Sequence, residues 1–167
     1  MSDNEAKVYD NLEIFEAPLL YWVRQVSGLD GFFTGKKYQA PTDKDYFLFE
    51  FLSLNRRSRS FRKYNEETEK FDLYYNAEII YRLTIYGDSS KSKIILAENS
   101  LQGYEVPMYL ASHGLGYATS SNIKHFSPFD NTEFLPQSQI DLTFNVTLSS
   151  WEDMGIIEEA NFTMQEQ

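Results

Sequence analysis

The chain carries two histidines, His113 and His125, and no cysteine. The histidines lie in loop-like sequence without the further ligands, at helical or knuckle spacing, that a zinc or iron site needs. Both read as loop or surface side chains, and neither a metal nor any other cofactor is implied. Without cysteine there is no thiolate nucleophile, no thiolate metal site and no disulfide, which fits a reducing compartment. The stretch "SHGLGYATS" is rich in small residues but lacks the Lys-Ser/Thr of a phosphate loop. It reads as a turn in which Gly114 and Gly116 permit positive φ. No G-x-S-x-G elbow occurs, and no Ser, His and Asp share a nucleophile context. The twenty-five acidic residues read as solvated surface. The expectation is a protein that is not an enzyme.

One cluster does ask for a partner. "LSLNRRSRSFRKYNEE", residues 52 to 67, holds Arg56, Arg57, Arg59, Phe61, Arg62 and Lys63 with no acid among them. Five of the fifteen basic residues of the chain fall in this window, while the formal net charge is −10. Outside residues 56–63, ten basic residues face twenty-five acidic ones, a net of −15. Three readings fit. Arg56 and Arg57 pair across a hairpin with Glu66 and Glu67; or the cluster contacts the acidic face of another subunit or partner, where charge sets orientation; or its cations and aromatics hold nucleic acid. The net charge counts against a protein whose main task is binding DNA.

The elements that position this cluster follow from periodicity. At 167 residues the chain is expected to form one domain that buries roughly 70% of its unfolded surface. Residues 1 to 10 read as a flexible polar tail rather than a signal peptide, and no apolar run approaches the ~18 residues of a membrane span. Leu12, Phe15, Leu19, Trp22, Val23 and Val26 recur at steps of three and four, which predicts a helix over about 12–27, with Asn11 as N-cap and Gly28 as stop. Pro18 requires either a kink or a true start near residue 17.

"YFLFEFLSL", 46 to 54, is apolar on nearly both faces and reads as a central strand. From Phe71 to Ile85, apolar and polar residues alternate over a run that at ~3.3 Å per residue spans roughly 50 Å. A domain of this size is only about 40 Å across, so the strand must curl or project. Paired with 46–54 it makes a long hairpin over about 46–86 whose tip carries the basic cluster. "SSKSKIILAENSLQG" reads as a helix begun by Asp88 or Ser89 and ended by Gly103. "VPMYLASHG" adds a short helix with Pro107 in its first turn. The region after it reads as loop, with a short strand near Ile123. Ile140, Leu142, Phe144, Val146 and Leu148 mark another strand, and a last one covers 156–164. The fold class is α+β: an antiparallel sheet of about four or five strands packed against two helices.

In this order the elements resemble the phage neck terminator family, the tail-terminator-like proteins of the head–tail junction. The resemblance covers about residues 12 to 164. It runs through "WVRQVSGLDGFF", "APTDKDYFLFEFLS", "RLTIYGDSS", "IILAENSLQG", "LGYATSSNIKHFSPF", "QIDLTFNVTLSS" and "GIIEEANF", with Tyr86-Gly87 as the clearest local marker. It implies a structural virion protein with no cofactor, assembled in the bacterial cytoplasm. Such proteins form a ring, usually of six copies, that caps the tail tube. The implied partners are the head connector or adaptor proteins, the tube protein and, in a contractile tail, the sheath. DNA passes through without specific binding, and no membrane is involved. A nucleic-acid-binding module and a tail-completion or baseplate subunit remain the alternatives.

Overall fold

The structure, a computed structural model, describes residues 12–35, 44–67, 69–128 and 135–152. Seven strands form one mixed sheet: β1 (Asp30–Phe33), β2 (Tyr46–Arg56), β3 (Phe61–Asn65), β4 (Lys70–Tyr86), β5 (Gly116–Ser120), β6 (Lys124–Phe126) and β7 (Gln137–Glu152). The spatial order is β1-β2-β4-β7-β5, with β3 on the β2 side of β4 and β6 on the β5 side of β7. Among the described residues the helices α1 (Glu16–Ser27), α2 (Ser90–Leu101) and α3 (Glu105–Ser112) join it. The α+β class is as expected, and the sheet is larger than the four or five strands read from the sequence.

The centre of the sheet is the β4–β7 ladder, antiparallel from Phe71 opposite Glu152 to Tyr86 opposite Gln137. The alternation along both strands has a direct packing cause. Tyr75, Ala77, Ile79, Tyr81, Leu83 and Ile85 on β4, and Ile140, Leu142, Phe144, Val146 and Leu148 on β7, are buried on one face. With them pack Leu19, Trp22 and Val23 of α1, Ile94, Ala97 and Leu101 of α2, and Leu110 of α3. Trp22 Nε1 donates a 2.9 Å hydrogen bond to Ser100 Oγ, fastening α1 to α2. Phe33, Phe47, Phe49 and Tyr81 meet at ring-centroid separations of 5.3–6.4 Å.

α1 starts at Glu16, after a separate turn in which Phe15 N–H bonds Leu12 O. Pro18 thereby falls in the first turn, where its missing N–H costs no helical bond. Gly28 ends the helix at φ 72° with its N–H on Arg24 O. α3 also carries Pro107 in its first turn, and it closes on Gly114 at φ 85°, with Gly114 N–H on Ala111 O and Leu115 N–H on Leu110 O. This double bond with a buried Leu110–Leu115 pair is a Schellman ending.

Two strands lie where the sequence read as loop. β1 is only four residues long and pairs parallel with β2, which no local alternation announces. β5, "GYATS", is short, polar and at the sheet's edge. The β6 strand at Lys124–Phe126 falls at the predicted site near Ile123. The predicted tail, the Asn11 cap and the 156–164 strand lie outside the described residues.

At the sheet-to-helix corner, Asp45 accepts hydrogen bonds from Ser89 N–H (2.8 Å) and from the Ser89 hydroxyl. Neither Asp88 nor Ser89 caps α2 by its own side chain; the acceptor comes from residue 45. Gly87, at φ 113°, lies against this carboxylate: a Cβ there would sit 1.9 Å from Asp45 Oδ1. The Tyr-Gly marker at 86–87 thus has a steric reason.

Candidate assembly interface

The basic cluster sits on an arm. Past Tyr75, β4 leaves the helical layer and continues as residues 70–74, paired with β3 on one side and with β7 on the other. Phe61, 53% exposed, stacks on Tyr74 at 5.4 Å on one face; Tyr64, 50% exposed, meets Phe71 at 5.2 Å on the other. A three-stranded ribbon with aromatic pairs on both faces is unusual for a solvated surface, since large rings in the open are a mark of interfaces. Of these aromatics, Phe61 was read from sequence as part of the cluster, whereas Tyr64, Phe71 and Tyr74 were not read as contact residues. The available signal was the apolar alternation of β4, which continues to Phe71 after the core has ended.

The ribbon is offset from β2 by a break. Arg57 N–H still bonds Asn76 O at 2.8 Å, and then Ser58 Oγ, in place of a backbone carbonyl, accepts from Asn76 N–H at 3.1 Å. Pairing resumes with Phe61 opposite Tyr74. The turn that closes the hairpin is therefore not the basic cluster. It is the acidic stretch around Glu66, Glu67 and Glu69, held by a 3.0 Å bond from Glu67 N–H to Asn65 Oδ1. The cluster lies along the arm, from the end of β2 to the middle of β3.

Its six residues divide into two groups. Arg56 lies over the Tyr75 ring with its guanidinium carbon 4.2 Å from the centroid, and Arg57 pairs with Glu78. Glu66 and Glu67 are not the partners of these two arginines. A bulge between Phe51 and Ser53 sets β2 so that Asn55 and Arg56 stand opposite Glu78 and Ala77, while β3 occupies the ladder near the turn. Phe61, Arg62 and Lys63 lie on β3, and Arg59 lies in the break. Arg59 and Lys63 are exposed and have no ion-pair partner among the described residues.

The sheet face turned away from the helices carries side-chain pairs that link β4 to β7. Arg82 grips Asp141 on the neighbouring strand with two bonds of 2.8 and 3.2 Å, and the hydrogen bond raises the Arg82 pKa further. Thr147 donates to Asn76 Oδ1 at 3.0 Å. The histidines are engaged separately: His113 Nδ1 is 2.9 Å from Tyr109 O, and His125 Nδ1 is 2.7 Å from Ser138 Oγ. Among the described residues no three His, Asp or Glu side chains group as metal ligands, and no helix is long and apolar enough to cross a membrane.

A family model described as "phage neck terminator protein" matches residues 18–167. The chain belongs to that family. No curated protein matches the sequence. As a neck terminator family member it is a structural protein of the phage particle, associated with the head–tail junction. The match begins within α1, so every described element after that helix, the arm included, falls inside it.

Proposed function

We propose that the protein closes the neck of a tailed bacteriophage as a ring of six identical copies, which terminates the tail tube, joins it to the head connector and lets DNA pass. The observation that carries this reading is the family match over residues 18–167. The arm supplies a means: a head-to-tail, heterologous contact closes a ring when its rotation divides a full turn, and a projecting ribbon on one side of a subunit suits that geometry. Arg56, Arg57, Arg59, Phe61, Arg62 and Lys63 belong to this contact, Arg56 and Arg57 by stiffening the arm's root and the others by facing the neighbour. The net charge of −10 suits a DNA conduit, because a surface without phosphate contacts releases no counterions and does not hold the duplex. The tube protein, the connector or adaptor and, in a contractile tail, the sheath are the remaining partners, and the ring is built in the bacterial cytoplasm.

Native mass of the purified protein, alone and then with tail tubes, tests the reading. A closed hexamer, or monomers that become six-fold rings on tubes, supports it. A monomer that ignores tubes but binds DNA with steep salt dependence overturns it. At least three of the five cations of the cluster, Arg56, Arg57 and Arg62, are already engaged within their own chain, which weakens the DNA-binding alternative.

A further inference from the structure

The arm carries two groups of opposite charge that do not meet. Arg59 in the break and Lys63 on β3 form a basic flank, and Glu66, Glu67 and Glu69 form an acidic turn; all five side chains are exposed. None of them has an ion-pair partner among the described residues, whereas Lys44, Arg57 and Arg82 each find a carboxylate in their own chain. The cause is the strand between the groups. β3 is five residues long, so at ~3.3 Å per residue it holds Arg59 roughly 16 Å from the start of the turn. Lys63 is nearer, but it stands opposite Asp72 in the ladder, and Asp72 accepts a 3.2 Å bond from Asn65 Nδ2. Around the cations lie large rings in the open: Phe61, Tyr64 and Phe71 are 53%, 50% and 37% exposed. Together they offer about 280 Å² of aromatic surface, about a third of what one partner contributes to a stable interface.

We infer that the acidic turn of one copy docks on the basic flank of the next copy's arm, setting Glu66, Glu67 and Glu69 against Arg59 and Lys63. The inference rests on the ring reading above and names the surface that the arm meets. Charge complementarity selects the occupant: the turn is the acidic counterpart of the flank, and a second copy brings it past the strand that separates the two within one chain. The same charges set the arrangement. Flank on flank and turn on turn place like charges together, which is costly. Turn on flank joins two different surfaces, so one contact repeats from copy to copy and closes as a ring.

Two complementary charge reversals test the contact. Arg59→Glu with Lys63→Glu makes the flank acidic, and Glu66→Lys with Glu67→Lys makes the turn basic. Each double variant by itself is expected to reduce ring yield at least tenfold, in solution and on tail tubes, at unchanged melting temperature. An equimolar mixture of the two is expected to restore rings, because every turn then faces a flank of opposite sign, and native mass spectrometry should count three copies of each. If a reversal lowers the melting temperature, Glu66→Gln with Glu67→Gln takes its place and is expected to lower the yield and flatten its dependence on salt. Rings of the unaltered protein together with undiminished rings of any of these variants overturn this inference and leave the ring reading standing. A mixture that gives no rings, or stops at heterodimers, overturns it equally. Absence of rings from the unaltered protein, alone and on tubes, overturns both.

Discussion

Replacing Gly87 by Ala tests whether the corner between β4 and α2 is held by one carboxylate. The new Cβ would lie 1.9 Å from Asp45 Oδ1 and 2.1 Å from Asp45 Cγ, so the carboxylate must leave. Its departure forfeits the two bonds from Ser89, about 1.5 kcal/mol for an N-terminal cap with a charged acceptor. Holding Ala at φ 113° adds about 1.5 kcal/mol of backbone strain. Gly87→Ala therefore costs about 3 kcal/mol, and Asp45→Ala alone about 1.5. The double variant loses the cap only once, so it costs about 3 rather than 4.5 kcal/mol, a coupling of about 1.5. Urea unfolding of all four proteins measures the cycle, and thermal melting should follow at about 2–4 °C per kcal/mol. Costs that simply add would refute the shared-carboxylate reasoning.

Three other perturbations have definite signs. Gly31→Ala would place a Cβ 2.1 Å from the Phe47 ring; overpacking of that buried ring is expected to lower unfolding free energy by about 1–3 kcal/mol in urea. Tyr81→Phe should change stability near pH 7 by less than ~0.5 kcal/mol, because no internal hydrogen bond is lost. Above pH 10 the difference grows: the unfolded phenol ionises while the folded one stays protonated, so the native chain loses up to about 1.4 kcal/mol per pH unit and the variant escapes that share. Parallel alkaline limbs in the two melting curves would contradict this. Asp141→Asn breaks a two-bond ion pair with both partners about one-third exposed; the expected loss is about 1 kcal/mol, shrinking in high salt.

Much of the sheet was legible because its two faces differ. β4 and β7 bury every second residue against helices and turn Asn76, Arg82, Asp141 and Thr147 outward, so alternation in the sequence is alternation in space. β1 was illegible for the opposite reason: four residues that owe their strand to parallel pairing with Tyr46–Phe49 carry no period of their own. Asp45 was invisible as a cap because local rules look to Asp88 and Ser89, whereas the folded chain brings the acceptor from forty-four residues away. In the arm, spacing pointed to Glu66 and Glu67 as partners of Arg56 and Arg57, whereas the fold supplies Tyr75 and Glu78. A one-residue bulge and a break at Ser58 move Arg57 opposite the Glu78 region, and spacing alone does not reveal an offset of that kind. Glu16, Phe33, Glu50 and Tyr81 line one pocket yet come from α1, β1, β2 and β4, a set that no single window of sequence contains.

The central ladder also fixes an order of events during synthesis. β4 is complete at residue 86, yet its partner on the far side, β7, ends only at residue 152. At ribosomal rates of about 5–20 residues per second, that leaves roughly 3–13 s in which β4 has one side unpaired. An alternating strand in that condition is a template for its twin on a neighbouring nascent chain. The protein is thus most exposed to mispairing just before β7 emerges, and a ribosome stalled between residues 86 and 137 would hold a chain primed to aggregate rather than assemble.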